Sequence, residues 1–164
     1  MYELYEGIEL DGPQTEAICR GLLDLAACDG VDPSELDLIH GFYRSSGASA
    51  DLDVLAKQGF DLAAAAKVLQ AGGGTVVEAF FISCYLLIYA DGEFSDPERK
   101  RIAEFGDAFG LDANRLEHLH LKARVYLLEM LAQNLRNPDA VRSVGGELLG
   151  LSSAVIEESL NKEG

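Results

Sequence analysis

Oxygen ligands crowd into one short stretch of this chain. Asp91, Glu93, Asp96 and Glu98 all fall within the turn DGEFSDPE. Carboxylates at that density suit calcium or magnesium; zinc and iron favour the His and Cys that the turn lacks. An earlier turn, DGVDPSE, repeats the theme with Asp29, Asp32 and Glu35. Neither is an EF-hand loop, because the glycine stands second where that loop requires it sixth.

Helix capping divides these carboxylates. Asp32 as N-cap, Pro33 at the first helical position and Glu35 three residues after the cap form a capping box. Ser95, Pro97 and Glu98 form a second. Such caps are worth about 1 kcal/mol each. Asp29 and Asp91 are different, since each follows the C-terminal end of an apolar helix, where the dipole disfavours an anion by up to about 1 kcal/mol. Turn amides or a cation must offset that cost. The expected metal set is therefore Asp29, Asp91, Glu93, Asp96 and Glu98, with Asp29 and Asp91 converging.

The other reactive side chains offer less. His118 and His120 are two residues apart on a helical stretch and point to different sides, and His40 lies elsewhere. Glu117 and His120 make one Glu-x-x-His pair, whereas di-metal carboxylate bundles need two. No spacing supports a Ser-His-Asp or Cys-His arrangement. Cys19, Cys28 and Cys84 sit among apolar neighbours without CxxC spacing, and so read as buried thiols of a reducing compartment. A non-enzymatic protein is expected, with a carboxylate metalloenzyme as the alternative.

The elements that must position these residues are helical. Apolar residues recur at Ile18, Leu22, Leu25 and Ala26, predicting an amphipathic helix over 14–28 that Gly30 closes. The Asp32 box opens a second helix through Leu38, Ile39, Phe42 and Tyr43, with Val31 stapled onto Leu36. Short helices are expected near 51–57 and 61–70. Gly72, Gly73 and Gly74 read as a linker; a phosphate loop would need a following Lys and a preceding strand. An almost wholly apolar helix over 75–90 follows, then one from Ser95 to Gly110, then a long one capped by Asp112 and ended by Asn137 and Pro138. Helices over 139–149 and 152–160 complete the chain.

Two copies of one design are visible. Glu16, Ala17, Asp29 and Gly30 match Glu78, Ala79, Asp91 and Gly92 at an offset of 62. Past the turn the offset is 63, matching Val31 with Phe94, Asp32 with Ser95, Glu35 with Glu98 and Ile39 with Ile102. The expected fold is an all-α, single-domain bundle of about seven to nine helices with an internal pseudo-twofold repeat. Residues 1–13 form an arm, 14–135 the helical domain with halves 14–71 and 75–135, and 136–164 closing helices packed on the same domain.

The motif YADGEFSDPERKRI, with its preceding apolar helix, resembles the tellurite-resistance TerB family and the TerB-like domain at the front of a membrane-anchored J-domain co-chaperone. Ala90, Asp91, Gly92, Phe94, Glu98 and Ile102 carry the likeness, and Asp29, Gly30, Val31, Glu35 and Ile39 echo it. Cys28 departs from the pattern, which has alanine there, and the first turn is one residue shorter. The resemblance spans about residues 14–135. It implies an all-helical cytoplasmic domain, not known as an enzyme, linked to stress response and to metal binding through its acidic turns.

Composition narrows the partners. The chain has 164 residues and a formal net charge of −15, with 13 acids against 4 bases in residues 1–74 and 15 against 9 in residues 75–164. Such a surface repels phosphate backbones and anionic membranes, and favours cations or a protein partner with a basic surface. The apolar run over 76–90 is broken by Glu78 and is shorter than the roughly 20 residues that cross a bilayer, so no membrane insertion is expected. The start MYELYEGIELDG lacks a basic and apolar signal pattern, which together with the thiols suggests a cytoplasmic protein. A metal-independent interaction adaptor is the remaining alternative.

Overall fold

A computed structural model of the chain describes residues 1–47, 51–90 and 92–162. Among these residues every regular element is helical, as the sequence predicts: a 3-10 turn at Tyr2–Tyr5, nine α-helices and one π-turn. The chain forms two compact units, Met1–Glu117 and His118–Gly164, and the division falls inside a helix.

In the first unit, α1 (Gly12–Ala26) is the hub. It packs against α2 (Pro33–Ser45), α3 (Leu52–Lys57), α4 (Leu62–Ala71), α5 (Gly74–Ile88) and α6 (Asp96–Ala108). Its apolar stripe, Ile18, Leu22, Leu25 and Ala26, is fully buried. The helix opens two residues earlier than periodicity predicts because Asp11 and Gln14 form a capping box around Pro13.

α5 is buried nearly all round, with every residue from Phe81 to Ile88 inside, which is why its sequence shows an apolar run and no stripe. Phe80 stacks on Phe105 and Phe109 at 6.0 and 5.6 Å between ring centroids, and Phe60 lies 5.7 Å from Phe105. Gly21 brings α1 close to this cluster: a Cβ there would stand 2.8 Å from the Phe80 ring. The glycine run is a tight joint between helices. Gly72 caps α4, Gly73 takes φ 89° and Gly74 is the first residue of α5.

The first residues are held more firmly than their lack of periodicity suggests. Tyr5 is 3% exposed, packs 4.9 Å from the Phe42 ring and hydrogen-bonds Ser83 at 2.9 Å. Ser83 in turn donates to the Ala79 carbonyl, which spares both buried hydroxyls an unmet desolvation cost.

α7 (Ala113–Asn134) opens on the expected cap, with the Arg115 amide donating to Asp112 at 2.8 Å. Its first turn belongs to the first unit, where Arg115 pairs with Glu78 at 2.9 Å. The second unit holds the remainder of α7, α8 (Pro138–Ser143), the π-turn Val144–Leu148 and α9 (Ser153–Lys162). Asn137 does not merely stop a helix; its side chain caps α8. The single helix expected over 139–149 divides after Ser143, and within the π-turn that follows a Cβ at Gly145 would lie 2.9 Å from Leu128 and 3.0 Å from Ile156. Only a glycine lets the chain approach both side chains so closely.

Candidate functional site

Both acidic turns join a buried helix to a capped one. After α1, Gly30 takes φ 102° and Asp32 caps α2. The Asp32 amide donates to Glu35 at 2.8 Å, and the Asp32 carboxylate receives the Ser34 amide at 2.8 Å and the Ser34 hydroxyl. Those Ser34 bonds hold the Asp32 carboxyl below the usual carboxylate range. After α5, Gly92 takes φ 86° and Ser95 caps α6. The Ser95 amide and hydroxyl donate to Glu98 at 2.8 and 2.9 Å.

The two capping glutamates share a property that exposed caps lack. Glu35 is 1% exposed and Glu98 is fully buried. A carboxylate so deep must be hydrogen-bonded or charge-matched to persist. Sequence reasoning identified both boxes but assigned Glu35 no part in a site; burial is the feature that a cap motif does not reveal.

The ends of the turns are exchanged between the helix pairs. The Ser34 hydroxyl at the start of α2 lies 3.3 Å from the Ala90 carbonyl beyond α5. On the other side, Arg101 of α6 donates to Asp24 of α1 at 2.7 Å and to Glu104 at 2.6 Å. These bonds hold the Arg101 guanidinium charged well above its ordinary range. Arg99 lies 4.0 Å over the Phe94 ring, ordering the apolar residue of the second turn. The Asp24–Arg101 pair, 77 residues apart, had no signal in spacing or periodicity.

Cys28 reports the electrostatics at the end of α1. Burial raises its pKa first, and Asp24, Glu98 and Asp29 raise it further while Arg101 pulls it down. Three carboxylates from two elements and a turn thus act on one thiol. Burial above all, with these carboxylates adding to it, keeps the thiol protonated, so it is a poor nucleophile and a poor metal ligand.

The residues expected to form a metal set are arranged unequally. Glu98 is committed to its cap, Asp29, Glu93 and Asp96 are exposed, and Asp91 lies outside the described residues. The expected convergence of Asp29 with Asp91 lies outside them too. Among the described residues no group of three or more His, Cys, Asp or Glu is arranged to hold a metal. His118 is exposed and His120 half-buried.

Among the described residues, no helix is long and apolar enough to cross a membrane. Comparison with family models, with characterised proteins and with solved structures gives no significant match.

Proposed function

We propose that this chain is a non-enzymatic, cytoplasmic TerB-like module of stress response whose acidic exterior binds a protein partner that presents a basic surface. The supporting observation is the acidic exterior: the net charge is −15, and Asp29, Asp37, Asp53, Asp96 and Asp107 are all exposed. A field of one sign steers an oppositely charged partner and accelerates its encounter, most strongly at low salt. The TerB resemblance supports the same class of role. Calorimetry of the intact chain with a Lys/Arg-rich peptide and with its Glu-rich counterpart, in chelator, tests this reading. Binding of the basic peptide alone, weakening as salt rises from about 50 to about 300 mM, is the expected result. Equal affinity for both peptides, or for neither, refutes it.

A second reading rests on the acidic turns. The density of hard oxygen ligands in DGEFSDPE, with Asp29 echoing Asp91 in the earlier turn, favours a calcium or magnesium ion bound near the turns. A ligand bound only to the folded state raises the melting temperature. Millimolar calcium, magnesium or manganese should then raise the melting temperature of the wild type and leave that of Asp91→Ala unchanged. Absence of any shift for all three ions rejects the site and leaves the protein-binding reading standing.

A further inference from the structure

The chain before α1 is tied to the bundle chiefly by one side chain. Tyr2–Tyr5 packs against α5 and α2, yet among the described side chains of residues 1–7 Tyr5 alone is buried, with Met1 and Leu4 half-buried. The backbone amides of Leu4, Glu6 and Ile8 donate to Met1, Glu3 and Tyr5, so all three bonds close within the segment itself. Its buried link to the bundle is the Tyr5 ring, 4.9 Å from that of Phe42, and the Tyr5 hydroxyl, 2.9 Å from Ser83. Gly7 then turns the chain at φ 78°, and residues 8–11 have no regular structure. Ordering such a segment costs backbone entropy of the same order as one buried ring and one hydrogen bond return. Segments so balanced open locally while the core stays folded.

Two thiols lie near this link. Cys84 follows Ser83 on α5 and Cys19 sits on α1, and both are fully buried. Burial pushes the Tyr5 phenol well above its usual range; the Ser83 hydrogen bond draws it down, and charge on Cys84 or Cys19 pushes it up again. Both thiols are therefore within electrostatic reach of the phenol. Neither has a part in the basic-partner reading. A buried, protonated thiol is inert, and it reacts with soluble electrophiles only once water and reagent reach it.

We propose that the segment Tyr2–Tyr5 is a strap, latched by Tyr5, that opens at Gly7 while the bundle stays folded and so gates the access of thiol-reactive compounds to Cys84 and Cys19. Ser83 keeps its own bond to the Ala79 carbonyl when the latch leaves, so opening orphans no buried donor. The latch is also separable from the packing: Tyr5→Phe removes the hydroxyl and keeps the ring.

Labelling of the full chain by an aromatic disulfide across a urea series tests this. The protein thiolate attacks the reagent, a mixed disulfide forms and the coloured aromatic thiolate leaves, so each event is counted by absorbance. Cys28→Ser removes the half-buried third thiol and is the background for every chain compared. Exposure by global unfolding follows the full urea slope, whereas opening of a strap uncovers little surface and barely responds to urea.

Below the unfolding transition both thiols should label at rates nearly independent of urea. Tyr5→Phe should speed labelling about two- to tenfold and Tyr5→Ala more than about tenfold. Glu98→Ala, which weakens the cap of α6 and so lowers global stability, should leave these low-urea rates within about twofold. Rates that climb along the global slope from zero urea in every chain overturn the proposal, because the thiols then open only by unfolding. Urea-independent rates that neither Tyr5 variant moves overturn it as well, as does equal acceleration by Glu98→Ala. Should Tyr5→Ala fail to fold, Tyr5→Phe decides alone.

Discussion

Truncating Glu98 or Glu35 to alanine removes the return hydrogen bond of a capping box and leaves space where a buried carboxylate stood. Each change should cost about 1–3 kcal/mol in urea unfolding. Glu93→Ala and Asp96→Ala, at exposed positions, should stay within about 0.5 kcal/mol. If Glu98→Ala proves as mild as Glu93→Ala, the cap does not hold the start of α6. Thiols give a pH signature of opposite hand to that of the carboxylates. Burial pushes the Cys19 thiol from 9.0 up to about 12, with Glu16 adding to the shift, and burial drives the Cys84 thiol well above its ordinary value. Above pH 9 the unfolded chain therefore loses thiol protons that the native state keeps. Stability falls as pH rises from 9 towards 12. Melting temperature should drop less steeply over that window in Cys19→Ala than in the wild type; parallel curves would contradict the burial of this thiol. Residue types and spacing made the caps, the acidic turns and the buried Cys19 and Cys84 legible, whereas Cys28, also expected to be buried, is only half-buried at the end of α1. They did not separate a buried Glu35 from an exposed Asp29, because burial is decided by helices distant in sequence.

At the scale of elements, the approach of α1 to α5 depends on Gly21. A Cβ there meets the Phe80 ring at 2.8 and 2.9 Å. That ring is backed by Phe81, Phe105 and Phe109 and has little room to give. Gly21→Ala should therefore destabilise by about 1–3 kcal/mol despite its better helix propensity, as read by chemical denaturation. Gly12→Ala, where an added Cβ meets nothing within 4 Å, serves as the comparison and should be near neutral. The Asp24–Arg101 bridge links α1 to α6 with both side chains about one-quarter exposed. Its coupling in a double-mutant cycle should be about 0.5–1 kcal/mol, reduced by salt. Helix identities followed from periodicity and caps, and their ends shifted where local chemistry overrode it. Asp11 with Gln14 drew α1 back to Gly12, and Asn137 started a new helix at Pro138. The D-G-P-Q stretch carries that first signal, which the apolar stripe beginning at Ile18 does not reach. The π-turn at Val144–Leu148 had no signal, because Gly145 is there to admit Leu128 and Ile156 from elsewhere in its unit.

At the scale of the whole chain, the all-helical architecture was readable from composition and capping, whereas the division at Glu117 was not. A continuous helix crosses that point, and a sequence pattern that continues unbroken carries no mark of where one compact unit ends. The candidate site was legible as two acidic turns; the Asp24–Arg101 pair beside them was not, because its partners lie on helices distant in sequence. Function at this scale is a matter of charge and exposed apolar surface, and the central claim is that a basic partner settles on the first unit without needing a metal. Residue-resolved nuclear magnetic resonance tests it most directly. The intact, isotope-labelled chain is titrated with the Lys/Arg-rich peptide in chelator, and amide shifts are followed residue by residue. The account predicts saturable shifts within the first unit, Met1–Glu117, fading as salt is raised. Shifts confined to residues 118–162, or none at millimolar peptide, would contradict it.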